Sequence, residues 1–335
     1  MKQFKLQFFV ALAAMVTTSF ITVFGQVPQV SCDEAVKSLQ AGLNDRKEMA
    51  LLLDRLSTTE DISLLPVFTK LMRNEDDRVR LLATGLVSRL AGRQAVPLLR
   101  DRLFHDPAMR VRGEALSQLL KMSELTDQEL AQVANMDDVN LQVVAANALA
   151  SRGQFAAVKP LLEHLVKSGM TDVSTFASMT LLAHGDNAQV QYLRGILLDK
   201  QTQPELIISM LNQIRREKIL AAMPVAQYAA NSYDMLPVQI RGFMAIDAMA
   251  PNAADLLCDA IKLSRNLSLS INIMRMLASR DDSTKQLTEL SSRNDIVGDM
   301  ARFELARRSN ASSAGVYLQK LLSLGHPIIV EYVYN

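Results

Sequence analysis

Tryptophan is absent, and cysteine occurs only twice in 335 residues, at Cys32 and Cys258. Two thiols cannot make a disulfide scaffold. Glycine (13) and proline (10) are also scarce, which excludes a collagen and any low-complexity chain built on those residues. Nor is there an excess of either charge: 36 basic residues face 35 acidic ones, so no overall field recruits nucleic acid. What remains is 49% hydrophobic and 21% charged, rich in alanine, leucine and methionine. That is a globular composition dominated by helix formers, and it predicts an all-α fold.

The first residues read as an export leader. Lys2 and Lys5 precede a stretch without charge from Leu6 to Phe24, small residues stand at Val23 and Gly25, and Pro28 discourages further helix. Residues 1–25 are therefore expected to be a signal peptide, with the mature chain starting at Gln26. Losing the two lysines leaves 34 basic against 35 acidic residues. The alternatives are an uncleaved anchor and a lipoprotein acylated on Cys32, although Gln29-Val30-Ser31-Cys32 matches a lipobox only loosely. A membrane association is expected only in those two cases. Cys32 otherwise reads as a free thiol, expected not to pair with Cys258.

From residue 61 onward two helical patterns alternate, and the second of each pair carries apolar residues at spacing four. The ridges are Val79, Ala83, Val87; Val111, Ala115, Leu119; Leu141, Ala145, Leu149; and Val173, Ala177, Leu181. They continue as Leu206, Met210, Ile214; Ile240, Met244, Ala248; Leu269, Ile273, Leu277; Val297, Ala301, Leu305; and a truncated Ile329, Val333. Their starts are 28 to 34 residues apart, the signature of stacked repeats. Residues four apart share a helix face, so each triplet predicts a buried ridge, and alanine at its centre allows a close neighbour. Gly92, Gly153 and Gly185 fall just past second helices, while Pro107, Pro237 and Pro327 stand where second helices begin.

The stretch His105-Asp106-Pro107-Ala108-Met109-Arg110-Val111-Arg112-Gly113-Glu114-Ala115-Leu116 resembles the turn and second helix of a HEAT repeat, with a looser copy at Asn74 to Ala83. The resemblance implies a right-handed α-solenoid of about nine repeats over residues 61–335. It also implies a ladder between repeats, with Asp106 and Arg112 as one set of rungs and Asn74 and Arg80 as another. Gln142 and Ser174 replace the arginine in the third and fourth repeats, and Arg241 restores it in the sixth. Residues 26–60 then hold a linker and an N-terminal cap, with apolar helical patterns around Ala35-Val36-Leu39 and Met49-Leu52-Leu53-Leu56.

Enzyme signatures are missing: there is no Gly-x-Ser-x-Gly, His-Glu-x-x-His, Cys-x-x-Cys or phosphate-cradling glycine loop. His105, His164, His184 and His326 lie in different repeats and read as surface or turn residues rather than metal ligands. The HEAT-like hydroxylases use His-Glu pairs, which this chain lacks. The many methionines read as core filling. Asn266-Leu267-Ser268 and Asn310-Ala311-Ser312 match the glycosylation pattern, which matters only in a eukaryotic secretory route. No catalytic residue, cofactor or metal is expected.

Charge is uneven along the chain. Residues 70–121 hold eleven basic against six acidic side chains, and residues 122–192 hold three against eight. Scattered helix charges are commonly a solvated face. The sharper reading makes Arg78, Arg89, Arg110 and Lys121 a surface for an anionic partner, since they project from second helices, which line the concave side in HEAT proteins. The functional expectation is an exported, non-catalytic scaffold for a protein partner, without nucleic acid. The alternatives are a HEAT-like accessory lyase or chaperone-like factor, and a module of a larger surface assembly that uses the apolar end Ile328 to Asn335.

Overall fold

The computed structural model describes residues 62–334; the leader, Cys32 and the capping patterns before Ile62 lie outside them. Among the described residues the chain is helical with no strand. Among the described residues no helix is long and apolar enough to cross a membrane. The all-α expectation holds. Two compact units divide at Leu149 and Ala150.

The first unit contains α1 (Leu65–Leu71), α2 (Asp77–Ala91), α3 (Val96–His105), α4 (Met109–Lys121), α5 (Asp127–Ala134) and α6 (Val139–Leu149). Each pair packs as a hairpin, α1 on α2, α3 on α4 and α5 on α6, and the second helices pack in turn, α2 on α4 and α4 on α6. The sequence sets these ends chemically. Asp76 caps α2 by accepting the Arg78 N–H at 2.9 Å, Thr126 and Glu129 form a reciprocal capping box on α5, and Asp138 accepts the Asn140 N–H at 2.7 Å. Gly92, at φ 53°, leaves α2 in the left-handed region where a Cβ is unfavourable.

The second unit continues with α7 (Phe155–Leu165), α8 (Thr171–Ala183), α9 (Gln189–Leu198), α10 (Pro204–Glu217), α11 (Met223–Ser232) and α12 (Leu236–Met249). It ends with α13 (Ala253–Leu263), α14 (Leu267–Ala278), α15 (Thr284–Ser291), α16 (Ile296–Arg308), α17 (Ala314–Ser323) and α18 (Pro327–Tyr334). Second helices again pack in series, α8 on α10, α10 on α12, α12 on α14 and α14 on α16. Asn266 caps α14 through its side chain, which accepts the Leu269 N–H at 3.1 Å. The last helix differs: α18 touches both α17 and α14. It is seated by buried Ile329 and by Tyr332, whose hydroxyl donates to the buried Glu304 Oε1 at 2.7 Å.

The ridges of α2, α4, α6, α8 and α14 are buried at all three expected positions. Two ridges need correction. In α10 Met210 and Ile214 are buried as expected, but Leu206 is only half-buried, and Ile207 and Leu211 share the inner face. In α12 Ile240, Met244 and Ala248 are half-buried, whereas Val238, Gly242 and Ile246 face the core. Both sets have spacing four, and the glycine decides between them. A Cβ on Gly242 would lie 2.5 Å from the Ala230 nitrogen and 2.9 Å from the Ala226 oxygen, so its absence admits the backbone of α11. The terminal ridges are partial, with Leu305 and Val333 half-buried.

Candidate functional site

The four candidate cations occupy two pairs of equivalent places. Arg78 and Arg110 each precede the first ridge residue of their helix by one, and Arg89 and Lys121 each follow it by ten. Eleven residues of helix separate the members within a helix, about 16 Å at 1.5 Å per residue. The structure therefore splits the set.

At the N-terminal end the arginines are engaged by nearby carboxylates. Arg78 Nε donates to Asp76 Oδ1 at 3.0 Å, and Arg110 Nε lies 3.1 Å from Asp77 Oδ2. These pairs offset the poor placement of a cation in a helix's first turn. The hydrogen bonds from the Arg78 side chain are the main reason that the Asp76 carboxyl is lowered to about 2. Arg78 and Arg110 thus present neutralised pairs to solvent.

At the C-terminal end Arg89 and Lys121, both exposed, line one open groove between α2 and α4 with a volume of about 570 Å³. Leu81, Leu82 and Met122 supply apolar wall. Beneath them runs a polar chain: Ser88 Oγ donates to Gln118 Oε1 at 3.1 Å, and Gln118 Nε2 donates to Glu114 Oε1 at 2.6 Å. Gly85 lies under the carboxylate, where a Cβ would come within 3.2 Å of Glu114 Oε1. Leu81, Leu82, Met122, Gly85, Ser88, Glu114 and Gln118 were not singled out by sequence as a site. Their signal is faint: Leu82, Ser88, Glu114 and Gln118 each sit beside a ridge position on a second helix. Arg89 and Lys121 also suit the negative end of the helix dipole.

The charge asymmetry has a structural counterpart within the first unit. Arg93 lies 3.2 Å from Glu124, and Arg100 Nε lies 2.7 Å from Glu129 Oε1. Cations of the basic block thus meet carboxylates of the acidic block across successive helical pairs. Burial works against ionisation of Glu129, but the Thr126 N–H, Arg100 and the Thr126 hydroxyl outweigh it and lower its pKa.

A further ionic cluster is buried. Asp106, fully enclosed, accepts from Arg80 Nε at 2.9 Å, Arg80 Nη2 at 3.0 Å, Arg102 Nη1 at 3.2 Å and the Ala108 N–H at 2.9 Å. Burial opposes its ionisation, yet the hydrogen bonds and the two guanidiniums prevail and lower its pKa. Arg80 joins successive helical pairs here, while Arg112 bonds the Asp106 carbonyl at 2.6 Å rather than its carboxylate. Gln142 repeats that reach to the Met136 carbonyl at 2.7 Å, and Ser174 is too short to do so, lying 3.3 Å from the Ser168 hydroxyl. Arg241 does not resume the carbonyl bond; its Nη1 lies 3.3 Å from Met244 Sδ.

A second ladder, unseen in the sequence, joins helical pairs of the second unit. Arg280 Nη1 bonds Asp247 Oδ1 at 2.8 Å and its carbonyl at 3.3 Å, and Arg308 Nη2 bonds the Ala278 carbonyl at 2.7 Å. Each donor stands eleven residues after the first buried ridge residue of its helix. Each acceptor stands nine after that of the preceding one, among carbonyls a helix end leaves unpaired. His184 occupies the same place, with Nε2 3.2 Å from the Ala150 oxygen and its ring stacked on Phe155 at 4.4 Å.

Cys258 is buried, which pushes its thiol above the usual range. His105 lies on the surface beside Asp101. Among the described residues no cluster of three or more His, Cys, Asp or Glu is arranged to hold a metal ion. No family model matches the chain, and no curated protein matches it.

Proposed function

We propose that the chain is a right-handed α-solenoid of HEAT-like repeats acting as an exported, non-catalytic scaffold, and that its second helices hold an extended segment of a protein partner. One observation carries the reading: equivalent residues make equivalent contacts in successive helical pairs. Arg112 and Gln142 reach the carbonyl six residues back, and Arg280 and Arg308 reach the preceding helix end. Stacked units of this kind bury a shared core and leave their second-helix faces for contact. The groove between α2 and α4 offers apolar wall, hydrogen-bonding groups and cations, the mixture that a polypeptide matches better than a nucleic acid does. Export rests on the leader ending at Gly25, and membrane attachment follows only if that leader stays or Cys32 is acylated.

The test is affinity purification of the full-length chain from its native host after brief crosslinking, with intact-mass analysis of the recovered protein. The expected result is a chain beginning at Gln26, found in the exported fraction with a defined protein crosslinked to second-helix residues. Recovery from the cytosol with its leader intact, or crosslinks confined to first helices, overturns the proposal.

A further inference from the structure

The last helix of the second unit departs from the array. Second helices pack in series up to α16, whereas α18 turns back to pack on α14 as well as on its neighbour α17. Its Tyr332 lies across the crease between two second helices: the ring sits 5.8 Å from the Arg275 guanidinium of α14, and the hydroxyl donates to Glu304 of α16 at 2.7 Å. Glu304 also accepts from Arg307 Nη2 at 2.7 Å, so the crease holds one carboxylate against two guanidiniums. Glu331 of α18 supplies the balancing charge, 3.5 Å from Arg275 Nη1. Two features make this seat exchangeable. Only Ile329 and Tyr332 of α18 are buried, and the connection from Leu324 to Pro327 is exposed throughout, with Gly325 at φ 61°. The fit is also incomplete, because Arg275 Nε and Nη2 are buried without a hydrogen-bond acceptor. Buried donors left unmatched cost free energy, and a guanidinium fork is built to be matched in pairs. The helix fills the crease without satisfying it.

Resting on the scaffold reading, we infer that the crease between α14 and α16 is a peptide-binding site and that α18 is a detachable strap over it, displaced by a partner segment that carries a tyrosine beside an acidic residue. The partner's tyrosine hydroxyl takes over the bond to Glu304, and its carboxylate pairs with Arg275 through the Nε and Nη2 donors that Glu331 leaves unmatched. Bidentate pairing is stronger and more directional than the single 3.5 Å contact it replaces. A basic segment meets Arg275 and Arg307 with like charge, and a segment without the hydroxyl takes a donor away from the buried Glu304. A strap on a short connection acts at an effective concentration of about millimolar. It therefore excludes weak ligands and yields to a well-matched one.

The experiment uses the full chain and a fluorescein-labelled peptide with the sequence of residues 326–335, read by fluorescence polarisation. In the chain, Tyr332→Ala unseats the strap. The peptide should bind this variant at least tenfold more tightly than wild type, whose own strap competes. Replacing the peptide's glutamate by lysine should weaken binding to the variant at least tenfold, and adding Arg275→Glu to the variant should reverse that preference. Amide exchange of the wild-type chain gives a reading independent of any variant: α18 should exchange at least tenfold faster than the centres of α14 and α16, because it opens without them. Equal binding by wild type and Tyr332→Ala, no binding by either, indifference to the peptide's charge, or α18 amides as slow as those of α14 each overturns the inference. When the full chain is crosslinked in its host, the partner should attach to α14 and α16 more in Tyr332→Ala than in wild type. Crosslinks confined to other second helices leave the scaffold standing and overturn the strap. A partner absent from both chains removes the scaffold reading, and the peptide and exchange results then decide the strap by themselves.

Discussion

Replacing Gly242 by alanine tests the register of α12 against α11. Alanine is the better helix former by about 1 kcal/mol, so on an open helix face the change stabilises. Here the new methyl would lie 2.5 Å from the Ala230 nitrogen, 2.8 Å from its Cα and 2.9 Å from the Ala226 oxygen. All three are backbone atoms, which cannot rotate aside, so the helices must separate by about 1 Å. A gap of that size forfeits roughly a quarter to a half of each dispersion contact it opens. That interface is lined by buried Val225, Ala226, Ala229, Ala230, Val238 and Ile246. Overpacking of this kind costs about 3 kcal/mol, at the upper end of the usual range. Set against the propensity gain, the net loss is about 2 kcal/mol. Gly195 provides the matched comparison, because it lies inside α9 of the same unit with nothing within 4 Å of a built Cβ. Gly195→Ala should gain up to about 1 kcal/mol. In urea unfolding followed by circular dichroism, the two midpoints should move in opposite directions and differ by about 1 to 1.5 M, for a slope of about 2 to 3 kcal/mol/M. A Gly242→Ala midpoint at or above wild type would show that Ile240, Met244 and Ala248 form the inner ridge after all.

Ala115→Leu should cost about 1–3 kcal/mol, because its side chain is wholly enclosed in the α4 ridge, and calorimetry of this variant beside Leu82→Ala separates core from groove. Asp106→Asn should cost about 3–5 kcal/mol by stranding the buried Arg80 guanidinium. Because the Asp106 pKa is lowered on folding, its contribution is present above the ordinary carboxylate value of about 3.9 and declines as pH falls below it. The melting-temperature gap between wild type and Asp106→Asn should narrow on acidification from pH 5 to pH 2, and a constant gap would refute the assignment. Arg308→Ala should cost about 1–2 kcal/mol and speed amide exchange at the end of α14, since Arg308 Nη2 is shared among the Ala278 and Arg280 carbonyls and the Ser283 hydroxyl.

Helix identity and period were legible because both arise from local chemistry: ridge spacing, capping residues such as Asp76 and Thr126, and left-handed glycines. The register of α12 was not, because Gly242 looks like a weak point until the backbone behind it is seen. Asp106 was legible as a ladder residue, but its partner is Arg80 of the preceding helical pair, and only the fold says which arginine is near. The ladder of Arg280 and Arg308 was hidden because its acceptors are mainly carbonyls, which carry no sequence signature. The four candidate cations were visible as a charge excess. That Arg78 and Arg110 meet Asp76 and Asp77 depends on the reach of those carboxylates along α2 and towards α4, which is a matter of geometry.

The carbonyl ladder makes each helix end depend on a residue still to come. The Ala278 carbonyl accepts from Arg308, thirty residues later in the chain. Synthesised from the N-terminus at about 5–20 residues per second, the chain supplies that donor roughly 1.5–6 s after the acceptor. Until then water must hold the carbonyl, and the end of α14 can fray. The buried Asp106 stands in the reverse relation, because Arg80 has already been made when it emerges. Growth therefore presents an arginine waiting for an acid in the first unit and helix ends waiting for arginines in the second. A chain stopped just short of Arg308 would keep the Ala278 end in that waiting state indefinitely.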